Sequence, residues 1–599
     1  MVEKIPLNHW EGVIMLRFLT LTAAAALLAA CSEPAGNEPA APADAPAPAD
    51  EAAPAQPDAG TDTSETAEAA WPPVGETSAD ITQDDLHFRI ATLADDRFEG
   101  RAPASESGER SAQWIADEMA RAGVQPAGTD GWYQPVPLIE ATLDEGNSSL
   151  EITVNDGPMG MAMGKDVVYW SQNPDEQVSI EDTELVFVGY GVVAPEYDWN
   201  DYEGLDVEGK TVVILVNDPG YARPDAGRFN GESMTYYGRW TYKYEEAGRQ
   251  GAAGAIIVHQ TEPASYGWDT VVASWTGPQF TLDMPPSDLV PVQGWISETA
   301  ARELFAATGQ DFDALAEAAA EPGFEPVTLE GARMSAELNT DLRRLTSNNV
   351  VGVIEGSEAP DEYVLLMGHW DHLGVRLNFA SDDQIYNGAV DNATGTAAIM
   401  EMAEAFARGE QPRRSVLLVA VTAEESGLLG SAWYGANPTV PLNAIVGGLN
   451  IDGELPVGPT EDIVVVGFGA SELEDILREE AEADGRYLTA DPNPEAGYFY
   501  RSDHVSLARV GVPMLYAGGG SVHAELGRDH VETAALAYRM NRYHQPGDEY
   551  DPDWDLSGLE QDTGLLYRVA RRMADSDEWP NWYEGNEFRG LRDAMMEGR

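Results

Sequence analysis

A chain of 599 residues with 43% hydrophobic side chains carries more apolar material than one core absorbs, since single cores stop growing at roughly 250 to 300 residues. Its 35 Lys and Arg against 103 Asp and Glu give a formal charge of -68, which repels nucleic acid phosphates over most of the surface and argues against nucleic acid as a partner. The single cysteine, Cys31, excludes an intramolecular disulfide and leaves no thiolate for zinc, so any metal must use His, Asp and Glu.

Residues 18–30 are apolar or small, follow Arg17 and end at Cys31, the charge and length profile of a signal peptide and too short a run for a membrane span. Leu28-Ala29-Ala30-Cys31 resembles the lipobox of bacterial lipoproteins, which implies export, acylation of Cys31 and a lipid anchor as the one contact with a membrane. Met15 suits the start of such a peptide, because residues 1–14 add nothing it needs. In the lipoproteins it resembles, Ser32 in place of Asp after the cysteine favours sorting to the outer membrane, so the expected location is the outer membrane or else the periplasm or cell surface. Residues 32–80 are rich in Ala, Pro, Glu and Asp, with no Lys or Arg between Arg17 and Arg89, and predict a self-repelling disordered linker.

Folding is expected from Asp84, where Leu86, Ile90 and Leu93 carry a helical period, and a second helix over 108–122 places Ala112, Ile115, Met119 and Ala122 on one face. Between about 147 and 338 the texture changes to short β-rich runs such as 184–191 and 211–216, with a helix near 240–250 before a buried strand at 251–258. These blocks resemble the protease-associated domain, a β-rich module inserted into several exopeptidase families. From Asn349 onward, buried strands at 350–354, 363–367, 416–421, 444–450, 463–466 and 513–516 alternate with helices. The pattern predicts an α/β fold, a mostly parallel mixed sheet flanked by helices, with ligands gathered at the carboxyl ends of the strands. The expected division is a signal peptide over 1–31, a linker over 32–80, one α/β domain formed by 81–146 and 339–599, and an inserted domain over 147–338.

The polar residues at those strand ends carry chemistry. Gly368-His369-Trp370-Asp371-His372 puts an imidazole at a strand terminus with a carboxylate two residues on, the spacing of a metal ligand and its orienting partner. Asn387-Gly388-Ala389-Val390-Asp391 is a glycine-flanked turn that opens a helix to about Arg408. The strand at 416–421 ends in Glu424-Glu425, adjacent carboxylates whose repulsion a cation would relieve while one of them takes a proton. The strand at 444–450 delivers Asp452, and Tyr543-His544 supplies a late histidine in a turn. His369, Asp391, Glu425, Asp452 and His544 form a nitrogen and oxygen set suited to zinc, too many for one open tetrahedral site and enough for two ions sharing a carboxylate.

With these motifs the chain resembles family twenty-eight of the metallopeptidases, the dizinc aminopeptidases of the bacterial leucyl and aminopeptidase Y type, from about Asp84 to Arg572. The resemblance implies that one zinc takes His369 and Asp452, the other Glu425 and His544, that Asp391 bridges, that Glu424 is the general base and that Asp371 orients His369. Peptides with free amino termini are the substrates it implies. It further suggests that Tyr500, in Tyr498-Phe499-Tyr500-Arg501-Ser502-Asp503-His504, steadies an oxyanion beside zinc. His372, His504, His523 and His530 read as structural histidines or pocket walls. Val390 departs from the acidic residue often found before the bridging aspartate. Asp551, Asp553, Asp555 and Gly558 lack calcium-loop spacing and read as an acidic turn. Other readings within the fold class are a carboxypeptidase, for which Arg501 is the nearby cation, a glutaminyl cyclase, and an inactive binding homologue, which predicts missing ligands.

Overall fold

The computed structural model describes residues 71–284, 289–376 and 383–597, so the expected signal peptide, Cys31 and the linker up to residue 70 lie outside the described residues. The folded part begins no later than Trp71, which shortens the expected 32–80 linker. The Trp71 ring packs edge-on against Phe98 at 4.4 Å, the Arg97 guanidinium lies 4.6 Å over it, and Trp114 Nε1 donates to the Pro73 carbonyl at 3.1 Å. An indole buries enough apolar surface to draw an otherwise Ala/Pro-rich segment onto the domain.

The helix Gln83–Leu93 starts at Thr82, whose side chain accepts the Asp85 N–H, and buries Leu86, Ile90 and Leu93. The helix Glu106–Ala122 is capped by Ser105 and stops at Gly123, whose φ of 100° is left-handed. Gln83–Leu93 packs against the helices Gly395–Arg408 and Ser557–Asp575, and Glu106–Ala122 packs on the central sheet. There the strand Ala359–His369 runs parallel to Arg414–Val421 on one side and to Ile445–Asn450 on the other, and Ile445–Asn450 runs parallel to Met514–Ala517. Val364 and Leu366 point into a core shared with Ile90, Ile399, Phe406 and Leu566, while Leu365 and Met367 join Leu417, Tyr434 and Leu507 on the opposite face. The alternation explains the continuous apolar strands, because a sheet covered on both faces has no polar side. Each fully buried Leu contributes about 1.5–3 kcal/mol.

Residues between the strands Tyr133–Leu143 and Val327–Ile354 build a second, β-rich lobe with its own core. Thr211–Leu215 lies between Gln177–Phe187 and Gly254–His259, all parallel, and Gly254–His259 pairs in turn with Val292–Ser297. Phe187, Leu215, Ile256 and Phe305 fill one face of this sheet, and Val186, Ile214, Ile257 and Trp295 the other. The expected boundary at 338 falls inside a continuous strand: Val327–Ile354 runs through both lobes and pairs with Tyr133–Leu143 from Thr340 opposite Leu143 to Val350 opposite Tyr133. A shared ribbon, not a flexible linker, therefore joins the lobes. They also touch directly through Arg509 and Glu245 at 3.3 Å and through the Met234 N–H, which donates to the Pro494 carbonyl at 3.2 Å.

Candidate metal centre

Three parallel strands set the site. His369 ends Ala359–His369, Glu424 and Glu425 follow Arg414–Val421, and Asp452 follows Ile445–Asn450, so register places all four at the carboxyl edge of the sheet. Asp391 arrives on the turn before the helix Gly395–Arg408, and His544 on the turn after the helix Arg528–Asn541. The first turn depends on Gly388, whose φ is 56° and whose Cβ, if it had one, would lie 2.2 Å from the Asp391 carbonyl oxygen.

Asp391 stands between two histidines. Its Oδ1 is 3.4 Å from His369 Nε2 and its Oδ2 is 3.2 Å from His544 Nε2. His369 Nε2 lies 3.3 Å from Asp452 Oδ1, and His544 Nε2 lies 3.1 Å from Glu425 Oε2. Glu424 Oε2 approaches His369 Nε2 to 3.8 Å. Among the described residues no Lys or Arg forms an ion pair with Asp391, Glu424, Glu425 or Asp452. An acid-rich basin without a basic partner, lined by imidazole nitrogens, fits divalent cations of the zinc type. Two triads, His369 with Glu424 and Asp452 and His372 with Asp391 and Glu425, each bring their ligand atoms within 4.8 Å of one another.

The electrostatics separate the two adjacent glutamates. Burial, reinforced by the Asp452 and Glu425 carboxylates, pushes Glu424 well above the usual carboxylate range. Burial acts on Glu425 as well, but His544 and His372 hold it down at about 2. Burial favours the neutral imidazole of His544, yet Glu425 and Asp391 push it up to about 10. One glutamate thus stays a ready anion, while its neighbour readily keeps a proton.

Surrounding residues hold these groups in place. Asp371 Oδ1 accepts the Glu424 N–H at 3.1 Å, whereas His369 Nδ1 lies 3.1 Å from the Asp371 carbonyl and 3.8 Å from its carboxylate. The orienting role expected for the Asp371 side chain toward His369 is thereby shared: the backbone carbonyl faces the imidazole and the carboxylate fixes Glu424. Ser502 Oγ donates to Asp452 Oδ2 at 2.5 Å. Arg101, fully buried, donates to the carbonyls of Leu93, Asn387, Gly388 and Trp370 at 2.5–2.9 Å and so ties the N-terminal segment to both ligand loops. Where an acidic residue was absent at Val390, Asp548 reaches in from the His544 loop and accepts the Val390 N–H at 3.0 Å.

One reading changes. The Tyr500 hydroxyl donates to Glu587 at 2.7 Å, and its ring packs with Phe499 and Trp582 in a separate cluster, so it makes its bond away from these ligands. Tyr543 is the phenol at the basin: its ring, partly exposed, stacks 3.9 Å from His544, and desolvation together with the Asp391, Glu425 and Glu424 carboxylates pushes its hydroxyl pKa well above the ordinary phenol value. Its place beside His544 in sequence was the available signal. His372 is a wall of the basin itself, its Nδ1 2.6 Å from Glu425 Oε1. His504 is a packed wall, with Phe499 at 4.6 Å and burial lowering it to about 3. His523 is structural, accepting the Glu525 and Leu526 N–H groups at 3.0 Å.

Residues 349–565 match the model of peptidase family M28. A probable glutamate carboxypeptidase of Arabidopsis thaliana is 32% identical over 256 residues, 39% of this chain and 33% of that protein. An aminopeptidase of Mus musculus is 33% identical over 120 residues, 19% of this chain and 14% of its own length. The chain thus spans at most about a third of these curated relatives, 33% and 14%. An aminopeptidase from Aneurinibacillus sp. strain AM-1 aligns over 84% of this chain and 95% of its own, with 18% identity and a TM-score of 0.48. The segment that supplies His369, Asp391, Glu424, Glu425, Asp452 and His544 is a domain of peptidase family M28.

Proposed function

We propose that the chain is an aminopeptidase that uses two zinc ions to remove N-terminal residues from peptides. The observation that carries this reading is the Asp391 carboxylate, with one oxygen toward His369 and the other toward His544. His369 and Asp452 would hold one ion, Glu425 and His544 the other, and Asp391 both. Bound there, zinc would supply Lewis acidity for the scissile carbonyl and for the pKa of water.

The chain's own groups do the rest. Glu424 takes the proton of the attacking water on its carboxylate and delivers it to the leaving nitrogen, a role that suits a carboxyl whose pKa is raised by burial. Asp371 holds Glu424 through its N–H. The Tyr543 hydroxyl donates to the oxyanion as it forms. In the same reading the β-rich lobe is a protease-associated module, and Cys31 is acylated and anchors the enzyme to the outer membrane.

Hydrolysis of aminoacyl nitroanilides beside N-acetylated controls tests the activity, using mature, chelator-stripped and zinc-restored protein. Turnover of free amino termini alone, lost on stripping and regained with zinc, supports the reading. A protein that binds two zinc ions and cleaves none of these substrates overturns it. The glutamate carboxypeptidase relative and the cation Arg501 favour a second reading, in which N-acylated peptides with a free carboxyl terminus are the substrates.

A further inference from the structure

Asp371 fixes Glu424 through its backbone N–H, and the next residue along, His372, meets Glu425. His372 Nδ1 lies 2.6 Å from Glu425 Oε1, while the other oxygen, Oε2, faces His544 Nε2 at 3.1 Å. Apart from each other, His372 Nδ1 and Glu425 Oε1 are buried without a hydrogen-bond partner, and His372 Nε2 has no partner either. Among the described residues the contact with Glu425 is therefore the one polar interaction of this imidazole. Separated, each atom would lose its hydration with nothing in exchange.

The separation decides what the contact is. Two ligand atoms on one tetrahedral zinc, each bonded at about 2.0–2.1 Å, stand roughly 3.3 Å apart. Asp391 meets that spacing at 3.4 Å from His369 and 3.2 Å from His544, and His544 meets it at 3.1 Å from Glu425. His372 and Glu425, at 2.6 Å, are too close to share an ion in that way and stand at the short end of a charge-assisted hydrogen bond. The ring is held where it is. The His372 N–H donates to the Arg101 carbonyl at 3.2 Å, and the ring lies against Gly388, where a Cβ would fall 2.5 Å from its Cγ. It stands at 71° to the His544 ring with centroids 5.9 Å apart.

We propose that His372 is a positioning residue that occupies one oxygen of Glu425, leaves Oε2 alone for the ion shared with His544, and so keeps that position selective for zinc over manganese. A carboxylate limited to one oxygen suits the four-coordinate sites of zinc, whereas one free to bind through both oxygens serves cations of higher coordination number such as manganese. The inference deepens the aminopeptidase reading and rests on it for the assignment of Glu425 and His544 to one ion. It also divides the work of a single segment: His369 binds one ion, Asp371 holds the base, and His372 sets the carboxylate ligand of the other ion.

Metal binding tests the proposal apart from turnover. The metal-free full chain, as wild type, His372→Leu and His372→Asn, is titrated calorimetrically with zinc and with manganese. His372→Leu should weaken one of the two zinc steps about 10- to 100-fold and leave the other unchanged, with a smaller loss for manganese at the same step. His372→Asn keeps an N–H close to the place of Nδ1 and should restore most of the zinc affinity. Unchanged zinc binding in His372→Leu, equal weakening of both steps, equal losses for the two metals, or an asparagine variant no better than leucine overturns the proposal. A crystal structure of the zinc-loaded wild-type protein in which Glu425 binds through both oxygens, or in which His372 itself coordinates, overturns it without any variant needing to fold. Failure of the nitroanilide panel with the step-specific loss intact would instead sink the aminopeptidase reading and leave the role of His372 standing.

Discussion

Asp548 accepts the Asp391 N–H on Oδ2 at 3.1 Å and the Val390 N–H on Oδ1 at 3.0 Å, so the loop that carries His544 also holds the turn that carries the shared aspartate. Tyr538 donates to the same Oδ2 at 3.1 Å. Asp548→Ala frees both amides and lets Asp391 rotate away from one histidine. Zinc affinity should fall about 10- to 100-fold, read by competition with a fluorescent chelator. Unchanged affinity would show that the turn needs no such support.

Glu424→Gln keeps the shape of the side chain and removes its capacity to take a proton. Turnover of a leucyl nitroanilide should drop by at least about 100-fold while metal content by mass spectrometry stays the same. Loss of a metal ion in this variant would make Glu424 a ligand instead of a base.

Gly388→Ala places a Cβ 2.2 Å from the Asp391 carbonyl oxygen and 2.5 Å from His372 Cγ, at a φ of 56°. Neither neighbour is free to retreat, since one carries the shared ligand and the other contacts Glu425. The variant should lose zinc binding before it loses the fold, seen as a chelator-like activity profile with near-native far-ultraviolet circular dichroism. A fully active variant would contradict the close approach.

Arg101→Met leaves the carbonyls of Leu93, Trp370, Asn387 and Gly388 without their donor. Because buried unsatisfied groups cost about 1–3 kcal/mol each, unfolding in urea should show a loss of at least about 3 kcal/mol. A smaller loss would mean that water replaces the guanidinium.

His544 in the metal-free protein holds its proton up to about pH 10, since Glu425 and Asp391 outweigh the effect of its burial. Its folded pKa lies above the ordinary histidine value of about 6.5, so this contribution to metal-free stability is present below pH ~6.5 and is lost as pH rises through about 10. Zinc must displace that proton. Zinc affinity should therefore rise with pH across this window, with proton release measured by calorimetry in buffers of different ionisation enthalpy. A pH-independent affinity between 7 and 9 would show that His544 is already neutral.

Much of the site was legible because strand ends are a local property. Buried runs at 363–367, 416–421 and 444–450 end at or just before His369, Glu424 and Asp452, and a sheet covered on both faces leaves its carboxyl edge as the one polar place for them. The glycines around Asp391 marked a turn for the same local reason. Boundaries were less legible: Trp71 belongs to the fold although its neighbours have the composition of a tether, and residue 338 sits inside a strand because Leu338 pairs with Val178, far away in sequence, and the same strand goes on from Thr340 to pair with Tyr133–Leu143.

Composition excluded thiolate ligands, and periodicity fixed the α/β layers, since both follow from residue types and nearest neighbours. Side-chain direction did not follow from either. Tyr500 and Tyr543 are equally good phenols on paper, and only packing turns one toward Glu587 and stacks the other on His544. Asp371 lies two residues from His369, yet its carboxylate serves Glu424, because the parallel strands Ala359–His369 and Arg414–Val421 end side by side. Which groups face one another across segments distant in sequence is decided by tertiary packing, where burial and unpaired charge select the partners.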